Sequence, residues 1–204
     1  MIAIIDYGLG NLKSVAGAIE KAKHKPIITS NVTDINNAKK IILPGVGAFS
    51  EGIKNLQDYD LIRILNDNVI YKKKPILGIC LGAQLLADVS YEFGEHKGLG
   101  FIDASVVKLK TGNIKLRIPH VGWNELFQKQ KSVLFSDIPD KSLFYFVHSF
   151  AIYCNKKEIV IGETEYGNKF TAAFQQNNIY GTQFHPEKSQ FDGIKLLKNF
   201  LDYA

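Results

Sequence analysis

The chain has 204 residues, enough for one α/β domain with its own core, since single domains commonly run to roughly 100–250 residues. Its 46% hydrophobic and 22% charged content is ordinary for a soluble globular protein. The net charge of +5 is carried almost wholly by lysine, with arginine only at Arg63 and Arg117, so scattered surface lysine accounts for it better than an arginine-rich nucleic-acid site does.

Cys80 and Cys154 are the only cysteines, too few for a disulfide framework and consistent with a reducing compartment. The apolar run after Met1 is too short for a signal h-region and lacks a basic segment before it. No stretch of about 18 apolar residues exists to span a membrane. A cytoplasmic protein is expected.

Ile2 to Asp6 reads as a buried parallel strand that ends at a turn, Tyr7-Gly8. Asn11 is placed to cap a helix to about Lys23, with Leu12, Val15, Ala16 and Ile19 on one face. Ile27-Ile28 and Lys40 to Leu43 read as strands, the latter broken by Pro44-Gly45. A helical stretch follows from about Ala48 through Leu65, then a strand from Pro75 to Ile79 and a helix from Leu81 to Val89. Strands alternating with helices imply a mainly parallel, doubly wound sheet.

Short strand candidates then follow at Ala104–Val107, Leu116–Ile118, Phe144–Val147, Ile159–Glu163, Phe170–Gln175 and Ile179–Phe184. Turns such as Thr111-Gly112-Asn113 and Tyr166-Gly167-Asn168 join them. They predict antiparallel strands that extend the sheet. Phe191, Ile194, Leu197 and Leu201 recur at helical spacing and close the chain with a helix on the sheet. With no repeat or linker, residues 1–204 read as one domain.

Gly78-Ile79-Cys80-Leu81-Gly82 sits where an apolar strand meets a helical pattern. A sharp strand-to-helix turn crowds the backbone at its apex, and flanking glycines let neighbouring chain pass close. Cys80 would then project from the C-terminal edge of the sheet, where ligands of open α/β sheets bind. The helix that follows favours a thiolate, and the Leu81 N–H is placed to face an oxyanion formed there. The competing account is a small buried apolar cysteine.

A thiol nucleophile needs a base. His24 reads as solvated surface and His96 as a loop residue without an evident partner. His185 ends an apolar strand and is followed by Pro186-Glu187, so Glu187 can reach the imidazole, fix its tautomer and stabilise the imidazolium. A lone His-x-Glu is more often structural; paired with the Cys80 turn, it reads as base and orienter.

Gly78–Leu86 and Gln183–Ser189 resemble the corresponding motifs of the class I (triad) glutamine amidotransferases. Within that family, Asp6–Leu12, Pro44–Phe49, Pro119–Asn124 and Tyr145–Ser149 look like the glutaminase subunits of imidazole glycerol phosphate synthases. The resemblance implies a flavodoxin-like α/β fold: a mainly parallel sheet, helices on both faces and an antiparallel extension. It implies Cys80, His185 and Glu187 as catalytic triad, and an oxyanion site from Val46, Gly47 and the Leu81 N–H. It also implies glutamine as substrate, held by Gln84, Glu92 and the backbone of His148, Ser149 and Phe150.

The same resemblance implies a heterodimer with a (β/α)₈-barrel cyclase subunit in histidine biosynthesis, faced by Asn11, Trp123, Asn124 and Lys188. No metal or other cofactor is needed. Activity would stay low until the partner docks and the Pro44–Gly47 backbone reorients. Three positions depart from the pattern: Ala83 and Val121 stand where methionine is usual, and Phe150 where tyrosine is usual. They leave open a paralogous glutaminase that supplies a different amidating enzyme, such as one acting on bacterial surface sugars. A regulatory module that kept the fold, or a cysteine peptidase or γ-glutamyl hydrolase, are the other readings.

Overall fold

The computed structural model describes residues 1–111 and 116–204, so the turn expected at Thr111-Gly112-Asn113 lies partly outside the described residues. The first half runs β1 (Ile2–Ile5), α1 (Leu12–Lys21), β2 (Pro26–Thr29), α2 (Val32–Asn37), β3 (Lys40–Leu43), α3 (Phe49–Asp58) and α4 (Leu61–Leu65). A π-helical turn (Asn66–Tyr71), β4 (Ile76–Ile79) and α5 (Leu81–Leu85) follow. The second half runs β5 (Ala87–Ser90), β6 (His96–Lys97), β7 (Ile102–Lys108), β8 (His120–Glu125), β9 (Phe127–Gln128) and β10 (Leu143–His148). It ends with β11 (Phe150–Cys154), β12 (Val160–Tyr166), β13 (Asn168–Gln176), β14 (Ile179–Thr182) and α6 (Gln190–Tyr203).

The order β2-β1-β3-β4-β14 is parallel throughout, and β1, β4 and β14 are buried along their whole length. Strands covered on both faces need no polar side, which is why they appear in the sequence as unbroken apolar runs. Alternate residues of β1 feed two cores. Ile2 and Ile4 pack with Val15 and Ile19 of α1 and Leu197 and Phe200 of α6. Ile5 packs with Ile35 of α2, Phe49 and Leu56 of α3, Leu61 of α4 and Leu81 of α5. Helices therefore cover both faces, as expected. Beyond β14 the sheet continues through β13, β11, β7, β5 and β6, with antiparallel pairing at every step except β5–β7.

Four expectations need correction. The helix expected over residues 48–65 breaks at Tyr59-Asp60, where Asp60 takes a left-handed φ of 55°. The helix expected from Leu81 to Val89 stops at Leu85, because residues from Ala87 pair with β7 (Ala87 opposite Ile102, Ser90 opposite Val106). Tertiary pairing overrides local pattern there. Leu116–Ile118 is not a strand; Pro119 has no N–H for a ladder, and pairing begins at His120. Phe144–Val147 is a strand, but it pairs with β8 in a separate two-stranded sheet and does not extend the large one. The closing helix falls on Gln190–Tyr203 with Leu197 and Leu201 buried, while Phe191 is 79% exposed, beyond the edge of the core.

Candidate active site

Strand register gathers the site. Leu43 lies opposite Gly78, and Ile79 opposite Thr182. The chain therefore leaves β3, β4 and β14 at one edge, as Pro44-Gly45, Cys80 and Gln183. The Cys80 N–H donates to the Thr182 carbonyl at 2.8 Å, fixing the nucleophile turn to the strand that carries the base. Cys80 has φ 53° and ψ −111°, a left-handed backbone for a residue with a side chain. Such strain persists only where surrounding structure over-determines it, and it concentrates at functional sites. Here the surroundings are tight: a Cβ on Gly78 would lie 2.6 Å from Ala83 Cα, and one on Gly82 1.8 Å from the Leu43 carbonyl oxygen. The thiol is 6% exposed and opens into a cavity of about 410 Å³, so it is not sealed in the core.

His185 is held from three sides. Its N–H donates to the Tyr145 carbonyl at 2.9 Å, its carbonyl accepts from Ser189 Oγ at 2.6 Å, and Nδ1 meets Glu187 Oε1 at 2.7 Å. Both side chains of that pair are 2% exposed. Burial alone would lower the imidazole pKa, but the negative charge of Cys80 and the Glu187 carboxylate outweigh it and raise it to about 10. Nε2 has no hydrogen-bond partner of good geometry, yet the Cys80 sulfur is near enough to raise the ring's pKa. With its pKa raised that far, the ring is an imidazolium at neutral pH and its outer nitrogen carries a proton.

The oxyanion segment divides into an anchored and a free part. The Tyr7 hydroxyl donates to the Pro44 carbonyl at 2.7 Å, and a Cβ on Gly45 would lie 2.3 Å from that same hydroxyl. Burial, assisted by the Cys80 charge, raises the Tyr7 pKa and keeps it a donor. Val46 and Gly47 beyond are exposed and line the cavity, with Gly47 at φ +112°. Leu81 lines the same cavity from the first turn of α5. Because α5 has only five residues, the charge near Cys80 comes from local N–H groups more than from a long helix dipole.

Gln84, Glu92, His148, Ser149 and Phe150 all line the cavity, as does Lys188. Two of them have additional duties. Gln84 Nε2 donates to the Phe150 carbonyl (2.9 Å) and to Gln183 Oε1 (3.1 Å). Glu92 Oε2 accepts the Phe49 N–H at 2.7 Å and so caps α3, whose own N-cap position is alanine.

Among the expected partner-facing residues, Trp123 is 44% exposed and meets Tyr145 edge-on, so it is not a core side chain. Lys188 Nζ lies 5.7 Å from the Tyr145 ring centroid. Asn11 caps α1 through the Ser14 N–H. Asn124 is half-buried and donates to the Glu165 carbonyl. His24 is not free surface: it pairs with Asp202 at 2.8 Å and ties the turn after α1 to α6.

Sequence reasoning missed Gln183, Tyr7 and His120 as contributors. Gln183 is fully buried and its Nε2 lies 3.8 Å from Cys80 Sγ. The available signal was a polar residue two positions before His185 at the end of an apolar strand. His120 and His148 are both buried, and burial lowers their pKa values to about 4 and about 3. Their effect on stability has a definite sign. Below pH 6.5 the unfolded chain takes up protons on these histidines while the folded chain does not, until pH falls to about 4 and 3. Stability should therefore decline on acidification from pH 6.5 to 5, with a slope approaching about 1.4 kcal/mol per pH unit for each histidine. Urea unfolding at pH 7, 6 and 5 measures it, and a flat profile contradicts the buried, neutral assignment.

A strained cysteine at a strand–helix turn, with a buried His–Glu pair just past the end of the neighbouring strand of a doubly wound sheet, is geometry suited to a cysteine-dependent amide hydrolase. The chain belongs to the class-I glutamine amidotransferases, whose family pattern (Glutamine amidotransferase class-I) matches residues 3–203.

Its sequence is 51% identical over 201 residues to the imidazole glycerol phosphate synthase subunit HisH 1 of Campylobacter jejuni (strain RM1221), covering 98% of this chain and 99% of that protein. It is 50% identical to subunit HisH 2 of Methanococcus maripaludis (strain DSM 14266) over the full length of both, and 42% identical to HisH of Aquifex aeolicus (strain VF5), with 97% and 94% covered. Among solved structures, a crystal structure of a glutamine amidotransferase superposes with a TM-score of 0.74 at 18% identity, covering 98% of this chain and 97% of that one. PurLQS from Thermotoga maritima gives 0.72 at 18% identity, covering 99% and 97%. At that identity the likeness speaks for the fold.

Proposed function

We propose that the chain, acting as one domain over residues 1–204, is the cytoplasmic glutaminase subunit of an imidazole glycerol phosphate synthase. It hydrolyses glutamine to glutamate and ammonia and passes the ammonia to a (β/α)₈-barrel cyclase subunit. The chemical part rests on one observation, the strained Cys80 set beside the buried His185–Glu187 pair. The pathway is supported by relatives of that name at about half identity along essentially the whole chain.

Cys80 attacks the carboxamide carbon of glutamine bound in the adjoining cavity, whose walls include Gln84, Glu92 and the 148–150 backbone. The oxyanion of the tetrahedral intermediate is received by the Leu81 N–H and an N–H of the Val46–Gly47 segment; a donor of this kind is worth about 3–4 kcal/mol in other enzymes. The imidazolium of His185 gives its proton to the departing ammonia. Neutral His185 then takes a proton from water, which attacks the thioester and frees glutamate. Glu187 holds the ring in the tautomer that leaves Nε2 facing the reaction. Trp123, Asn124, Lys188 and Asn11 face the barrel subunit, and docking turns the Val46–Gly47 backbone into its donating position.

The test is ammonia release from glutamine by the isolated chain and by its complex with the cyclase subunit encoded by the same organism. Activity should be low alone and rise on addition of the cyclase. Equal activity in both states contradicts the docking-dependent oxyanion site, and absence of ammonia release from the complex contradicts the function.

A further inference from the structure

The cross-strand partners His120 on β8 and His148 on β10 lie opposite each other in register. Their rings meet, with His120 Nδ1 3.2 Å from His148 Nε2. His148 Nδ1 lies 2.8 Å from the Phe150 carbonyl oxygen, and His120 Nε2 lies 3.4 Å from Asn124 Nδ2. These contacts admit only one proton arrangement for two neutral rings. A carbonyl can only accept, so His148 carries its proton on Nδ1 and leaves Nε2 bare. His120 must then donate from Nδ1, which leaves its Nε2 to accept from the Asn124 amide. The donors thus run one way, from Asn124 through His120 and His148 to the Phe150 carbonyl.

That carbonyl is also the acceptor for Gln84 Nε2, whose other hydrogen goes to Gln183 Oε1, and Gln183 Nε2 reaches Cys80 Sγ. The relay therefore ends on the cavity wall and on the nucleophile. It is held rigidly: the His120 ring is stacked between Tyr166 (4.0 Å between centroids, 21° between planes) and Phe146 (4.9 Å, 20°). Two aromatic faces would hold a phenyl ring equally well. Packing alone leaves unexplained why both buried rings are imidazoles joined donor to acceptor.

We propose that His120 is a positioning residue for glutamine hydrolysis: through His148 it fixes the Phe150 carbonyl, and thereby Gln84 and Gln183, against Cys80. The inference rests on the glutaminase reading above, but its first test does not. In the chain labelled with ¹⁵N-histidine, the imidazole NMR spectrum at pH 7 should show His120 and His148 both as neutral Nδ1–H tautomers with unprotonated Nε2. A protonated Nε2 on either ring breaks the relay and overturns the proposal.

The second test measures glutamine hydrolysis by the complex with the cyclase subunit. His120→Phe keeps the stacking and removes the donor to a buried acceptor, and should raise KM for glutamine on the order of tenfold, more than it lowers kcat. His120→Asn restores a donating amide and should recover most of that loss. A KM within twofold of wild type in His120→Phe, or equal impairment in His120→Asn, overturns the proposal. Should His120→Phe not fold, Asn124→Leu removes the first donor of the relay, together with its bond to the Glu165 carbonyl, and should raise KM in the same sense; an unchanged KM there overturns the relay. A wild-type complex inert toward glutamine instead sinks the function proposed above.

Discussion

Replacing Cys80 with alanine is expected to lower kcat for glutamine hydrolysis by on the order of 10⁴–10⁶, the scale on which loss of a catalytic nucleophile acts. The remaining groups, an oxyanion site and an imidazole, cannot form the thioester that splits the reaction into two easier steps. Ammonia release by the complex measures the loss, with circular dichroism to establish that the fold is kept. The same position offers a second measurement that activity alone does not give. Cys80 sits at φ 53°, where a Cβ costs about 1–2 kcal/mol relative to glycine. Glycine loses part of this advantage because it adds freedom to the unfolded chain, about 0.4–1 kcal/mol. Cys80→Gly should therefore be equally inactive yet more stable than Cys80→Ala, by roughly 1 kcal/mol in denaturant unfolding. If the glycine variant is the less stable of the two, the turn is not strained and the nucleophile is not held at a stability cost.

The parts of the molecule legible in the sequence are those whose cause is local. β1 and β4 are unbroken apolar runs because both their faces are covered, and the Cys80 turn shows itself by glycines that the crowded backbone requires. Asn11 announces α1 because capping acts over three residues. β5 and β8 were missed as strands for the opposite reason. Ala87–Ser90 and His120–Glu125 carry little period-2 apolar signal, and their structure is decided by β7 and β10.

The same division runs through the site. Cys80 and His185 could be found from a turn motif and a strand end. The roles of Gln183, His120 and Tyr7 depend on partners 103, 28 and 37 residues away, whose nearness no spacing rule predicts. The resemblance implied Gln84 and Glu92 as glutamine-holding residues, but their bonds to the Phe150 carbonyl and to the start of α3 appear only once β11 and α3 are in place.

Gly82 is where fold and chemistry are least separable. Its ideal Cβ would lie 1.8 Å from the Leu43 carbonyl oxygen and 3.1 Å from Pro44 C, both backbone atoms, so no side chain can swing aside to make room. For Gly82→Ala the nucleophile turn must move away from the end of β3 by over an ångström, on the order of the misplacement that costs about a hundredfold in rate. The movement also opens the core between α5 and the sheet, where Leu81, Ala83 and Leu85 are buried. Gly82→Ala is therefore expected either to leave no folded protein on expression or to fold with glutamine turnover reduced at least about a hundredfold. Gly17 supplies the contrast. It lies inside α1 with nothing within 4 Å of its ideal Cβ, so Gly17→Ala should stabilise the chain by about 0.5–1 kcal/mol and leave turnover unchanged. Thermal unfolding and ammonia release on the two variants test both claims. A Gly82→Ala chain with wild-type melting and turnover would mean that the close approach of β3 to the Cys80 turn, on which the geometry of the oxyanion site depends, is wrong.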